Sequence, residues 1–304
     1  MPTKFKTPYG LQKPPLKYVL QWKLGSLFKK RDKNSDDDFK LTVRELDAED
    51  LDIKEDFIVW LGHATFLIQL NSVRILTDPV FGSVPLTPRL AKLPIDIEHL
   101  KPDVICISHG HYDHLDMASL EALEIYSKKT KIIMPSKLSN YLKQSADVTE
   151  LEWYDEITQY GIKFTALPAS HWHRRGVFDF NKALWCSFLI EVGGIDGKSI
   201  FFAGDTAMDK HFEQIVSKGY KIDTALMPIG AYLPESVMKQ SHMNPEEALK
   251  GANILGAKEM IPYHYGTFNL SDEPIGEPHS WITRLAKKSE IDVVIVDVGE
   301  ILCK

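Results

Sequence analysis

An α/β layered domain is what this chain predicts, on three observations. Short β-branched or apolar runs recur from Phe57 onward, each closed by a polar turn; helical patterns fall between them; no short tandem repeat organises them. The runs lie at 57–61, 64–70, 73–77, 103–107, 131–134, 162–167, 184–192, 199–203, 223–228, 259–263 and 292–302. The helical patterns lie near 117–127, 137–145, 209–218, 245–255 and 279–288. The 245–255 helix has the best-defined start: Asn244 is a good N-cap, Pro245 suits the first turn and Glu247 completes a capping box.

The 304 residues, 44% hydrophobic and 26% charged, suffice for a full-sized core in an ordinary globular protein. Charge is unevenly placed. Residues 1–33 carry nine Lys or Arg against one acid, Asp32, so the net charge of −6 resolves into a leader of +8 and a remainder of −14. An acidic body argues against nucleic acid as a partner. We divide the chain into a basic N-terminal arm, helical in part, over 1–55 and a main domain over 56–304. Within the arm, Leu16, Val19, Leu20, Leu24, Leu27 and Phe28 follow a helical spacing with lysines between them. Residues 14–31 therefore suit either a peripheral membrane contact or packing on the main domain; Gly25 and the broad apolar arc favour packing. Residues 34–38 read as a solvated linker. Cys106, Cys186 and Cys303 each fall in a strand-like run and are expected as buried, reduced thiols. With no signal-peptide pattern and no long apolar stretch, a cytoplasmic protein is expected, with room for peripheral association at the inner membrane surface.

The run Ser108-His109-Gly110-His111-Tyr112-Asp113-His114 carries the chemistry. Three imidazoles and a carboxylate in six positions, directly after the apolar stretch 104–107, are donors for zinc-type ions, and their crowding suits a site for more than one ion. Further donors stand where strands end: Asp78 after 73–77, His171 after 162–167, Asp205 after 199–203, His264 after 259–263. Loops leaving one sheet edge converge, which is where α/β folds place chemistry. Asp78 is expected to orient a ligand rather than bind metal, and Gly204 to let the backbone approach the cluster.

On these residues the chain resembles the metallo-β-lactamase superfamily over about 57–270, with the motifs in the family's order. The resemblance implies a four-layer αβ/βα sandwich: two packed mixed sheets with helices outside and metals at one edge. It also implies a ligand set of His109, His111 and His171 for one ion, Asp113, His114 and His264 for a second, and Asp205 bridging them. Such a pair would hold a hydroxide between ions ~3.5–4 Å apart, as the nucleophile of a hydrolase. Two Zn2+ are the expected cofactor, with Mn2+ or Fe as alternatives. Imidazole at 111 favours zinc hydrolysis, since iron-holding relatives usually carry a carboxylate there.

Flanking words narrow the resemblance. Trp60-Leu61-Gly62-His63-Ala64-Thr65, Leu76-Thr77-Asp78-Pro79, Pro168 to Trp172, Phe202 to Thr206, Pro228 to Tyr232 and His264 to Phe268 look like the branch of phospholipases D that hydrolyse N-acylphosphatidylethanolamine. That branch implies a phosphodiester substrate, phospholipid or small molecule, and a histidine beside the metals at His242. The L-ascorbate-6-phosphate lactonases are near relatives, so ester or lactone hydrolysis of a phosphorylated metabolite is the alternative. His63 reads as a structural partner of the site. Arg174 and Arg175 suit a phosphate, or are ordinary exposed arginines. His173 is a polar contact or a solvent-exposed ring. His99, His211 and His279 are assigned to the surface. The loop Phe81–Leu93, with Val84, Leu86 and Leu90, is a lipid-facing lid or core.

Overall fold

The computed structural model describes residues 4–6, 35–126, 129–142, 147–193 and 197–304. The candidate membrane segment 14–31 lies outside them.

Two seven-stranded sheets face each other. The first contains β1 (Phe57–Gly62), β2 (Thr65–Leu70), β3 (Val73–Thr77), β4 (Val104–Cys106), β5 (Lys131–Pro135) and β6 (Asp147–Leu151) in sequential spatial order. The second runs from β7 (Glu156–Gln159) through β8 (Ile162–Leu167), β9 (Ser187–Val192), β10 (Lys198–Phe202), β11 (Thr224–Pro228) and β12 (Glu259–Tyr263) to β13 (Asp292–Val293). Each sheet begins with antiparallel hairpin pairings and ends with parallel strands. The last strand, β14 (Ile301–Cys303), leaves the second half and pairs with β1.

Strands buried on both faces read as unbroken apolar runs, and β1 shows why. Ile58 and Trp60 enter the core between the sheets, while Phe57, Val59 and Leu61 enter a second core on the outer face. That outer core is closed by Leu120 and Leu123 of α1 (Met117–Tyr126). The inter-sheet core is aromatic: the Phe66 ring of β2 meets Tyr263 of β12 edge-on, centroids 5.5 Å apart. On the second sheet, α2 (His211–Ser217) and α4 (Pro245–Ile254) pack Phe212, Ala248 and Ala252 into the same core. The short α3 (Glu235–Met238) and α5 (Glu277–Ala286) complete the helices of that half. This is the predicted layered α/β sandwich.

Several local expectations fail for identifiable reasons. The run 292–302 is two strands on different sheets, because the chain crosses from one sheet to the other between Val293 and Ile301. The 137–145 helix is a single 3-10 turn, Leu138–Tyr141. The strands β6 and β7 and the helix α3 were not expected; both strands lie on sheet edges and carry polar residues on their exposed positions. The linker is not free but docked and only partly solvated: the Asp36 carbonyl accepts from Gly276 N and its carboxylate from the Ser280 hydroxyl, while Asp38 is exposed. Residues 39–51 lie on the sandwich, with Phe39 packed on His279 and Leu51 fully buried. Cys106 and Cys186 are buried free thiols, but Cys303, on the edge strand β14, is exposed.

Candidate metal centre

The loops that leave the strand ends of both sheets meet in one pocket. Asp78 follows β3, the His109–His114 turn follows β4, His171 follows β8, Asp205 follows β10 and His264 follows β12. His63 sits in the turn between β1 and β2, and His242 in the loop between α3 and α4. The capping box predicted at Asn244 is present, Glu247 N donating to Asn244 Oδ1 at 2.9 Å, and it ends the loop that carries His242. Backbone strain collects here: His63, Asp78 and His264 have φ of 54°, 32° and 67°, a cost that surrounding structure must over-determine. Gly204, at φ 61°, meets the expectation of close approach, since a Cβ there would lie 2.7 Å from Ser108 Cβ.

The donors form two sets. In the first, His111 Nδ1 lies 3.0 Å from His109 Nε2 and 3.1 Å from His171 Nε2. In the second, Asp113, His114 and His264 gather with His63, their ligand-capable atoms all within 4.8 Å of one another. Asp205 stands between. Its Oδ2 is 3.2 Å from His114 Nε2, 3.8 Å from His109 Nε2 and 4.0 Å from His171 Nε2, and its Oδ1 is 3.1 Å from His264 Nε2. His242 Nδ1 approaches Asp205 to 3.7 Å from the open side.

Hydrogen bonds behind the rings fix which nitrogen faces the pocket. Asp78 accepts from Ser108 N at 2.6 Å and from the Ser108 hydroxyl at 2.5 Å. That hydroxyl oxygen accepts from His109 Nδ1 at 2.9 Å, and His114 Nδ1 donates to Asp78 Oδ2 at 2.7 Å. His171 Nδ1 donates to the Ser241 carbonyl at 3.0 Å. Each of these three rings therefore turns its Nε2 inward. One carboxylate, Asp78, orients a ligand of both sets. The roles of Ser108 and Ser241 were not predicted; the only sequence signal for Ser108 is its place directly before His109.

Electrostatics separates the sets. Burial, reinforced by the neighbouring rings, holds His109 and His171 well below the ordinary imidazole range, and burial pushes His111 down to about 3. In the second set burial acts in the same direction but Asp205 and Asp113 outweigh it, holding His114 well above its ordinary value and His264 at about 9. Against the cost of burial, the same imidazoles hold Asp113 and Asp205 well below the carboxylate range. His63, pushed to about 3 by burial, bonds Asp113 Oδ2 at 3.0 Å.

The donors fit a divalent cation. His114 Nε2, His264 Nε2, Asp205 Oδ1 and His242 Nδ1 are all buried and make no well-directed hydrogen bond among the described residues. In the first set, ligand-capable nitrogens of the neutral His109, His111 and His171 lie within 4.8 Å of one another; a proton satisfies one of them, a cation all three.

Other predicted residues fall elsewhere. His173 is fully buried, not a solvent-exposed ring, and so is His211, which bonds Thr206 Oγ1 at 3.1 Å. His99 and His279 are half-buried rather than free on the surface. Arg174 is half-buried, its Nε bound to the Gly176 carbonyl at 2.8 Å. Arg175 does not point to the pocket: its guanidinium is bound by backbone carbonyls of the histidine-rich turn. Trp172, not singled out by sequence, covers His111 with ring centroids 4.4 Å apart. The 81–93 loop is divided: Phe81 and Val84 are buried, Leu86 and Leu90 exposed.

Two mixed sheets sharing a histidine and aspartate pocket at one edge define a metal-dependent hydrolase of the metallo-β-lactamase fold. The chain belongs to that superfamily: the Beta-lactamase superfamily domain matches residues 73–265. It is similar to the N-acyl-phosphatidylethanolamine-hydrolyzing phospholipase D, mitochondrial, of Saccharomyces cerevisiae, 37% identical over 75% of this chain and 51% of that protein. The match thus spans about half the length of the yeast relative. It is also similar to the N-acyl-phosphatidylethanolamine-hydrolyzing phospholipase D 1 of Caenorhabditis elegans, 34% identical over 87% of this chain and 80% of that one. Among solved structures, Igni18, a metallo hydrolase from Ignicoccus hospitalis, shares the fold with a TM-score of 0.62 at 23% identity, covering 81% of this chain and 97% of its own.

Proposed function

We propose that this chain is a dinuclear, zinc-dependent phosphodiesterase of the N-acylphosphatidylethanolamine phospholipase D type. The observation that carries the proposal is the convergence of His109/His111/His171 and Asp113/His114/His264 on the two sides of Asp205. Two divalent ions held by these sets would supply an ionised water as nucleophile and offset the negative charge that builds on the attacked phosphate. A donor set dominated by imidazole favours zinc over harder ions.

The chain's own residues supply the rest. Asp78, Ser108 and the Ser241 carbonyl keep protons on the outer nitrogens, so the inner ones stay free to ligate. Asp113 is held by His63 and ligates on the second side. His242, which burial pushes down to about 4, is neutral near pH 7 and offers Nδ1 as a proton acceptor at the pocket mouth. Arg174, three positions after His171, is the cation we assign to a substrate phosphate.

A lipid substrate is supported by the relatives in yeast and worm and by the rim. Among the described residues, five of the seven exposed large hydrophobics, Leu86, Leu90, Tyr112, Val177 and Phe178, lie on loops that carry or adjoin the ligands. Exposed apolar side chains on such loops suit contact with a lipid. The basic segment 14–31 joins the proposal as a peripheral membrane contact. Among the described residues, no helix is long and apolar enough to cross a membrane.

The deciding experiment compares hydrolysis of N-acylphosphatidylethanolamine in detergent micelles with bis-p-nitrophenyl phosphate and a panel of lactones, before and after chelation and zinc addition. We expect both phosphodiesters to be cleaved, the lipid preferred, and chelation to abolish turnover until zinc is restored. Cleavage of lactones alone overturns the substrate and favours the lactonase reading; turnover indifferent to chelation overturns the metal.

A further inference from the structure

Arg175 was expected at a substrate phosphate, and the geometry gives it a different task. Its Nη1 donates to the carbonyls of Leu115 at 2.7 Å and Gly110 at 2.9 Å, with the His111 carbonyl at 3.4 Å. The guanidinium carbon lies 4.2 Å from the centre of the Tyr112 ring, and the Tyr112 hydroxyl donates back to the Arg175 carbonyl at 3.1 Å. One side chain therefore grips the histidine-rich turn at both ends of its ligand run.

The loop that carries Arg175 begins at His171, the third imidazole of the first set. Further bonds tie the Arg175 loop to the 3-10 turn Leu138–Tyr141. The Tyr141 hydroxyl donates to Asp179 Oδ2 at 2.8 Å and accepts from His173 Nε2 at 3.0 Å, while Asp179 also accepts from the backbone of Arg175 and Gly176. The His173 ring packs on the histidine-rich turn, so close that a Cβ on Gly110 would fall 2.2 Å from His173 Cε1. This explains a glycine between the two histidines and a buried histidine two residues after His171.

We propose that Arg175 is a positioning residue for the His109–His111–His171 set, tying the turn that bears two of these ligands to the loop that bears the third. His109 and His111 come from the first sheet and His171 from the second, so their spacing is fixed by tertiary contacts alone. The planar fork, stacked on Tyr112 and spent on carbonyls, sets that spacing. The same turn also carries Asp113 and His114 of the second set, but those side chains have supports of their own, Asp113 on His63 and His114 on Asp78.

The test is zinc stoichiometry and affinity by competition with a chromophoric chelator, on the wild type, Arg175→Ala, Arg175→Lys, Tyr112→Phe and Arg174→Ala, with circular dichroism of each metal-free protein. For Arg175→Ala we expect one of the two ions to bind about 10–100-fold more weakly, the usual effect of removing a group that holds a ligand in place, and the other to bind as in the wild type. Arg175→Lys should recover part of the loss, Tyr112→Phe should show a smaller one, and Arg174→Ala should leave both affinities unchanged. Two wild-type affinities in Arg175→Ala, or an equal weakening of both ions, overturn the proposal. If Arg175→Ala does not fold, Arg175→Lys decides: unchanged affinity for both ions overturns it. A wild type that takes up a single ion contradicts the dinuclear function proposed above, whereas this inference stands or falls on the ion held by His109, His111 and His171.

Discussion

The two sides of the pocket are built on opposite electrostatics. The first set presents three imidazoles that burial keeps neutral, with a carboxylate only at its border, Asp205. The second places two imidazoles against Asp113 and Asp205, which draw protons onto them. A cation therefore enters the first set without displacing a proton, but reaches the second only in exchange for protons. On the dinuclear reading proposed above, the difference would give the two ions unequal dependence on pH. Asp205 is where the sets meet, and Asp78 supports both from behind.

The comparison breaks most completely at Asp205. Asp205→Ala should abolish the distinction by weakening both ions and lowering turnover well beyond the ~100-fold that loss of a supporting residue costs; metal content and initial rates check this. A retained pair of ions would mean that the carboxylate does not bridge.

Asp78→Asn sharpens the comparison, because Asp78 holds His114 directly and His109 through Ser108. Both ions should weaken by about 10–100-fold, measured by the same chelator competition. This separates Asp78 from Arg175, for which one ion alone is expected to respond.

The smallest effect is in pH. In the metal-free protein His264 titrates at about 9, above its ordinary 6.5. A raised histidine adds stability that is fully present below 6.5 and lost as pH rises through 9. Zinc binding at the second set opposes that trend, so the rise in Tm caused by zinc should grow between pH 6.5 and 9. Calorimetry at pH 7 in buffers of different ionisation enthalpy should show more protons released with the second ion than with the first. Equal proton release from both would refute the asymmetry.

Much of this was legible from residue order. The histidine-rich turn packs four donors within six positions, and Asp78, His171, Asp205 and His264 each end a strand that periodicity alone identifies. The α4 cap was equally clear, because its signal is local. The edge strands β6 and β7 were not, since polar residues on an edge leave no apolar alternation to read. Nor was the break inside 292–302: an apolar run looks the same whether it serves one sheet or two.

By itself, the order of residues determined the layered α/β class, the donor inventory and which strand ends deliver it, because these follow from local periodicity and side-chain chemistry. Only the tertiary structure decided that Arg175 holds carbonyls instead of a phosphate, that His173 is buried, and that one set of imidazoles is neutral while the other is paired with carboxylates. Those outcomes depend on burial and on distances between segments far apart in the chain, and neither quantity is written in any single stretch of it.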